Sequence, residues 1–377
     1  MGSKTGTRDG AGRARLSVLA CLVAFCLLVW FGPASSVEAG PCRAWRQVPP
    51  GPVEPGTALE DVHGTSATDV WAVGGNGINP VIEHFDGVAW SVVPSPSVRA
   101  SLSGVRAFAS DDAWAVGTGG LVGEAFAEHW DGTEWKVVEV PQLGTYSALY
   151  GIDGTSGSDV WAAGYYFTDQ GIKALAEHWD GTAWTVVPMD DVSPLLNIMH
   201  SVEAIAPDDV WAVGYQEITF DVNQPLAEHW DGTAWTAVPV DPPPPANANS
   251  FLDVSASSST DVWTVGTYGD SFPLMEHWDG TAWKRYPAPV HHIAWGVAAI
   301  SPTNAWVGGS GEFRATSWHW NGGAWSVAGT PKVTPAAAVI ADLVALSDRD
   351  IWAVGTYNPP QGGGLLPLIL HSNGKCR

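Results

Sequence analysis

Seven histidines recur along the chain, His84, His129, His178, His229, His277, His319 and His371, and in five of these copies an aspartate follows two places on: Asp86, Asp131, Asp180, Asp231 and Asp279. Imidazole and carboxylate are ligands for transition metals and partners in proton transfer, so a ring of them invites both readings. Their regularity argues against both. A side chain that returns at the same place in every copy of a repeat meets the same local need each time, such as a hydrogen bond that holds a turn. Equivalent copies would also lie too far apart to share one ion, whose donors must approach to ~2.0–2.1 Å. The same reasoning makes Asp69, Asp112, Asp159, Asp209, Asp261 and Asp350 turn caps. No metal and no cofactor are expected. Asp and Asn are plentiful enough for calcium, yet no twelve-residue calcium loop is present.

The residues that differ between copies are better candidates. Tyr165, Tyr166, Tyr215, Tyr268, Trp295 and Tyr357, with Asp270, His291 and His292, fall in or beside segments of varying length. Aromatic faces beside acids and imidazoles suit neutral or basic ligands, sugars among them. Phe167, Phe220 and Phe272 accompany them, and His63 and His200 are further histidines outside the repeated position. Asp169, Glu217, Asp221 and Asp270 come from successive copies and supply the paired carboxylates that a glycoside hydrolase or lyase would need. The signatures HExxH, GxSxG and the P-loop are absent. Arg99, Arg106, Arg285, Arg314 and Arg349 occupy unrelated positions in their copies, which argues against an arginine triad.

These residues ride on a repeat. DVWAVG or a close variant occurs at 69–74, 112–117, 159–164, 209–214, 261–266, 304–309 and 350–355, with Trp71, Trp114, Trp161, Trp211, Trp263, Trp306 and Trp352 spaced by 43, 47, 50, 52, 43 and 46 residues. Behind six of these lies a block such as EHWDGTAW, and ahead of each an apolar stretch such as Leu149–Ile152. The unit reads as four short strands with a DG or NG hairpin between the third and fourth. Strand parity then sorts the connections. Turns after the first and third strands are short and alike. The connections after the second and fourth strands vary, and they emerge together on the opposite face, where ligand-binding residues concentrate.

The last copy lacks its fourth strand, while residues 43–49 (RAWRQVP) match the pattern of that strand near the N-terminus. The sequence therefore predicts an all-β fold, a seven-bladed β-propeller of four-stranded blades over 40–377, with the N-terminal strand completing the last blade. Cys42 and Cys376 then flank the junction, and a disulfide between them would be worth about 4 to 5 kcal/mol at most. Residues 1–39 read as a secretory signal peptide: Lys4, Arg8, Arg13 and Arg15 precede a 16-residue apolar run from Leu16 to Phe31, and small residues end at Ala39. Secretion, or display at the cell surface with an uncleaved signal, is expected, with no membrane contact after cleavage and a monomeric state.

The repeats resemble kelch-like and galactose-oxidase-central-domain-like propellers of secreted bacterial proteins, and the WDGTAW block is similar to strings in bacterial propeller lectins. They lack a consistent Gly-Gly pair, the Gly-His of WD repeats and the sialidase Asp-box. A galactose-oxidase copper site would need a cysteine beside a tyrosine near the centre, whereas the mature chain has cysteines only at its ends. A net charge of −22 leaves no electrostatic basis for a nucleic-acid partner. The expected function is a non-catalytic binding module for a carbohydrate or an extracellular protein. The alternatives are a glycoside hydrolase or lyase, or a structural cell-surface protein.

Overall fold

The computed structural model describes residues 45–96, 99–120, 123–220, 222–240, 248–269, 272–311, 314–330, 337–359 and 362–372. The proposed signal segment, Cys42, Cys376, Asp221, Asp270 and the proline run at 241–245 lie outside the described residues. Every element assigned is a strand. Four consecutive strands pair antiparallel within each of the units 58–92, 101–138, 249–285 and 293–328. Units 147–186 and 196–237 do the same, and the single parallel pair Ile172–Leu196 joins them into one eight-stranded sheet. The last unit, 338–372, contributes three strands, and Trp45–Gln47 pairs along its outer edge in the register Trp45–Ser372 to Gln47–Leu370.

The repeated second strand is apolar at both parities because it is covered on both sides. Asp69–Gly75 is buried at every position. Each repeated Trp meets, edge-on, the Trp that opens the fourth strand of the following unit: Trp71 meets Trp135 at 5.3 Å between ring centroids, Trp161 meets Trp235 at 5.3 Å, and Trp263 meets Trp325 at 5.0 Å. Such T-shaped pairs add to the area they bury. Trp306 makes the same contact with Trp45 at 5.8 Å, and Trp352 makes it with Trp90 of the first unit at 5.4 Å. The N-terminal strand therefore fills the place of a fourth strand. The last unit also touches the first through their first strands, Ala338–Ser347 against Ala58–Ser66.

The recurrent histidines do the local work expected of them. Nε2 of His84, His129, His178, His229, His277 and His371 pairs with Oδ1 of Asp69, Asp112, Asp159, Asp209, Asp261 and Asp350 at 2.6–2.9 Å, and His319 pairs with Asn304 at 2.9 Å. Each ring also packs on its unit's Trp, as His178 does on Trp161 at 4.4 Å. The other oxygen of Asp159 accepts the Thr155 hydroxyl. In the hairpins, Asp180 Oδ1 accepts the N–H groups of Thr182 and Ala183 at 2.8 and 3.0 Å, and Gly181 takes φ +90°. The Thr182 hydroxyl and these N–H groups hold Asp180 down at about 2.

Asp159→Ala is expected to cost about 1 kcal/mol, because it removes the partner of the part-buried His178 ring, while the exposed Thr155 hydroxyl turns to water. Urea denaturation would measure it. His178→Ala should cost a similar amount, and the double variant less than the sum. Full additivity would show that the two side chains do not act as a pair.

Candidate functional site

The first strands of the units, Ala58–Ser66, Ser101–Ala109, Ser147–Ser156, Leu196–Ala206, Asn249–Ser258, Ile293–Ser301 and Ala338–Ser347, line one cavity of about 270 Å³. Each carries a bulge near its start, where one residue is left without a partner on the second strand. The residue left over is Glu60, Ser103, Tyr150, His200, Leu252, Trp295 or Ala341 in turn, and all of them line the cavity. No two are alike. A regular backbone device thus presents an irregular set of side chains, at the end of the strands fed by the variable connections.

The glycine that ends the DVWAVG motif makes room for the bulge. A Cβ on Gly164 would sit 1.9 Å from the Ala148 carbonyl oxygen, and the equivalent distance is 2.0 Å at Gly74, Gly214 and Gly266. No side chain fits there.

Deeper in the cavity, carboxylates tie one unit to the next. The Val105 N–H donates to Asp61 Oδ2 at 2.6 Å, the Ala204 N–H to Asp153 Oδ2 at 2.7 Å, the Ala256 N–H to Glu203 Oε1 at 3.1 Å and the Val297 N–H to Asp253 Oδ2 at 2.7 Å. The Val62 N–H donates to Asp342 Oδ2 at 3.2 Å, linking the last unit to the first. Arg106 donates to His63 Nε2 at 2.8 Å and pairs through Nε with Asp153 at 2.8 Å. Burial pushes Asp253 up to about 7, and burial with a neighbouring acid raises Glu203 and Asp342 well above the carboxylate range. Asp61 Oδ1 and Asp342 Oδ2 both accept the Val62 N–H, at 2.7 and 3.2 Å, which places the two acids side by side.

At the rim the third and fourth units build an aromatic array. Tyr146 stacks on Tyr165 at 5.8 Å, the Tyr150 and Tyr165 hydroxyls meet at 3.4 Å, and the His200 ring lies between Tyr150 at 5.4 Å and Tyr215 at 5.6 Å. Burial holds His200 down at about 4 and raises Tyr165 to about 12, so both are neutral at physiological pH. The second and third strands of these two units are the longest of their kind, Asp159–Thr168 with Gly171–Trp179 and Asp209–Thr219 with Val222–Trp230, which lifts their hairpins above the neighbouring units. Between their tips, the Ile172 N–H donates to the Leu195 carbonyl at 3.1 Å and the Ser193 hydroxyl donates to the Glu217 carbonyl.

The structure divides the predicted residues. Trp295 lines the cavity, while Tyr165 and Tyr215 pack against the lining residues Tyr150 and His200. Tyr268 stacks on Phe272 at 5.1 Å, and Phe272 meets His291 edge-on at 4.8 Å, forming a separate cluster on the fifth and sixth units. His292 packs 6.4 Å from Trp318, and Tyr166 and Tyr357 pack against apolar clusters between units. His63 and His200, the histidines outside the repeated position, lie in first strands that carry them to the cavity wall. Asp169 is exposed and Glu217 is half-buried beside Tyr215. Tyr150, Glu60 and the ring of inner carboxylates escaped the sequence reading. Aligned repeats would have shown their position as a variable column two places before a branched aliphatic one, Val62, Val105, Ile152, Val202, Val254, Val297 and Leu343.

Sheets of four antiparallel strands arranged around a lined cavity are the architecture of a β-propeller. No protein-family model matches the chain, and no curated protein matches it. Solved structures do. A structure of U3-55K aligns over 89% of this chain and 100% of its own at TM-score 0.60 and 9% identity. The RRP9 WD40 repeats align over 88% and 98% at 0.58 and 9%, and YCF48 from Cyanidioschyzon merolae aligns over 88% and 98% at 0.57 and 14%. At these identities the likeness is one of fold.

Proposed function

We propose that this chain is a secreted, non-catalytic binding module of the kelch-like type that its repeats resemble. In this reading it is a seven-bladed propeller, closed where Trp45–Gln47 joins the last blade, and it holds a carbohydrate or an extracellular protein at the mouth of the axial cavity. The Trp306–Trp45 and Trp352–Trp90 contacts support the closure. One observation carries the binding reading: seven equivalent bulges deliver seven different side chains into one cavity, and two of them, Tyr150 and His200, continue into an aromatic array with Tyr165 and Tyr215. A purely structural barrel would fill its axis alike from every blade.

Probing the mature chain, residues 40–377, on glycan and peptide arrays tests this reading. Retention of at least one ligand class is expected, with a loss of about fivefold or more in Tyr150→Ala or Tyr215→Ala, since stacked aromatic contacts of this kind are worth ~1 kcal/mol or more each. No retention on either array, or retention that survives both substitutions, would remove the site.

A further inference from the structure

The cavity wall is rich in carboxyl groups, and burial raises every one of them, so that part of the set holds protons which an entering cation would displace. Glu60, Asp61, Asp153, Glu203, Asp253 and Asp342 place six carboxyl groups on its wall, against one guanidinium, that of Arg106. Arg106 is already committed to Asp153 and His63. Burial, and for His63 also Arg106, keeps His63 and His200 neutral, so neither imidazole balances the acids. The His200 ring nitrogens meet no hydrogen-bond partner among the described residues, although the ring is enclosed between Tyr150 and Tyr215 and lines the cavity.

What surrounds the mouth narrows the ligand. Nine of the thirteen exposed large apolar side chains among the described residues lie on the variable face, and Phe167, Val192, Leu195, Ile218 and Phe220 cluster on the raised hairpins and the segment wedged between them. Val192, Leu195 and Ile218 offer nothing to sugar hydroxyls, and together with Phe167 and Phe220 they make the ordinary surface on which another protein docks. At about 270 Å³ the cavity is smaller than the ~300–1,000 Å³ pockets that enclose whole ligands, a scale that suits one side chain.

We infer that the axial cavity receives a single basic side chain, arginine or lysine, presented by a protein partner that docks on the apolar rim of the third and fourth units. This rests on the binding-module reading and names its ligand. The cation would meet the acidic wall and the rings of Tyr150 and Trp295, which line the same cavity, where cation–π attraction adds to charge. The −22 net charge of the chain would speed the encounter with a basic partner at low salt.

The probes are N-acetyl-arginine amide and its neutral isostere N-acetyl-citrulline amide, titrated by calorimetry and by NMR into the mature chain at low ionic strength. The arginine compound should bind at least tenfold more tightly, and 0.5 M salt should weaken it. Glu60→Gln should reduce its affinity about threefold or more; Glu60 makes no hydrogen bond among the described residues, so the fold should be kept, which a thermal melt checks. Equal affinity for the two compounds, or no binding of either, overturns the inference. A chain that retains array peptides or glycans without preferring arginine over citrulline keeps the binding-module reading and loses this one.

Discussion

Gly164→Ala should destabilise the protein by about 3 kcal/mol, the upper range for forcing an atom into a close-packed interior. The added Cβ would lie 1.9 Å from the Ala148 carbonyl oxygen, 2.9 Å from its carbon and 3.0 Å from Leu149 Cα. All three are backbone atoms held by the ladder between the first and second strands, so no side chain can rotate away. The backbone must move, and what moves is the bulge that aims Tyr150 into the cavity. The variant should therefore lose ligand binding together with stability, although Gly164 touches no ligand. Gly323→Ala is the control. Only Asn321 Oδ1, at 3.7 Å, comes near its Cβ, and the change should stay within about 0.5 kcal/mol. Guanidinium denaturation followed by tryptophan fluorescence reads both. A Gly164→Ala chain as stable as the parent would mean that the bulge does not depend on the glycine.

Glu177→Gln is expected to stabilise the protein in alkaline solution and to change little in acid. The Glu of each EHW block is fully buried, and each has a way of being satisfied except this one. Glu83 accepts the Gly51 N–H at 2.7 Å, Glu228 accepts the Asp190 N–H at 3.0 Å, Glu128 accepts the Ser95 hydroxyl and Glu276 pairs with Arg285 at 2.8 Å. Gly51 and Asp190 stand six residues after the Trp of a fourth strand, and the corresponding residue before Glu177 is Pro141, which has no N–H to give. Neither oxygen of Glu177 finds a partner among the described residues, and burial pushes its carboxyl up to about 8. The folded state therefore holds a proton that the unfolded chain releases near 4.5. Stability from this group is fully present below that value and is lost as the pH rises through 8. Glutamine carries no charge to bury, so Glu177→Gln should gain about 3 kcal/mol over the parent at pH 9 and little at pH 5. Chemical denaturation at both values decides it, and a difference that ignores pH would show that Glu177 is not buried as a charge.

The architecture was legible because its signals are local and repeated. DVWAVG, the DG hairpins and the constant turns each depend on neighbours within a few residues, and recurrence marked His178 and Asp159 as structural, although not as each other's partner. The match of residues 43–49 to a missing fourth strand was legible for the same reason, as a pattern found out of place. The cavity was not. A bulge inverts the inside–outside alternation on which strand reading relies, so Tyr150 and His200 face the axis at positions where simple parity would turn them away. The inner acids were hidden differently: Asp153 and Glu203 are satisfied by N–H groups of the following unit, roughly 50 residues on, a distance at which sequence spacing carries no information about contact.

Arg46 and His371 pair across 325 residues of chain. At roughly 5–20 residues per second, a ribosome needs about 15 to 65 s to make what lies between them. For that interval the earliest strand has emerged while its sheet does not yet exist, and the nascent chain carries an unpartnered β-edge next to exposed tryptophans. That edge must therefore wait for Leu366–Ser372 or be shielded until that strand arrives. Losing only the segment that ends at Ser372 would harm this protein more than losing the same number of residues from any hairpin tip.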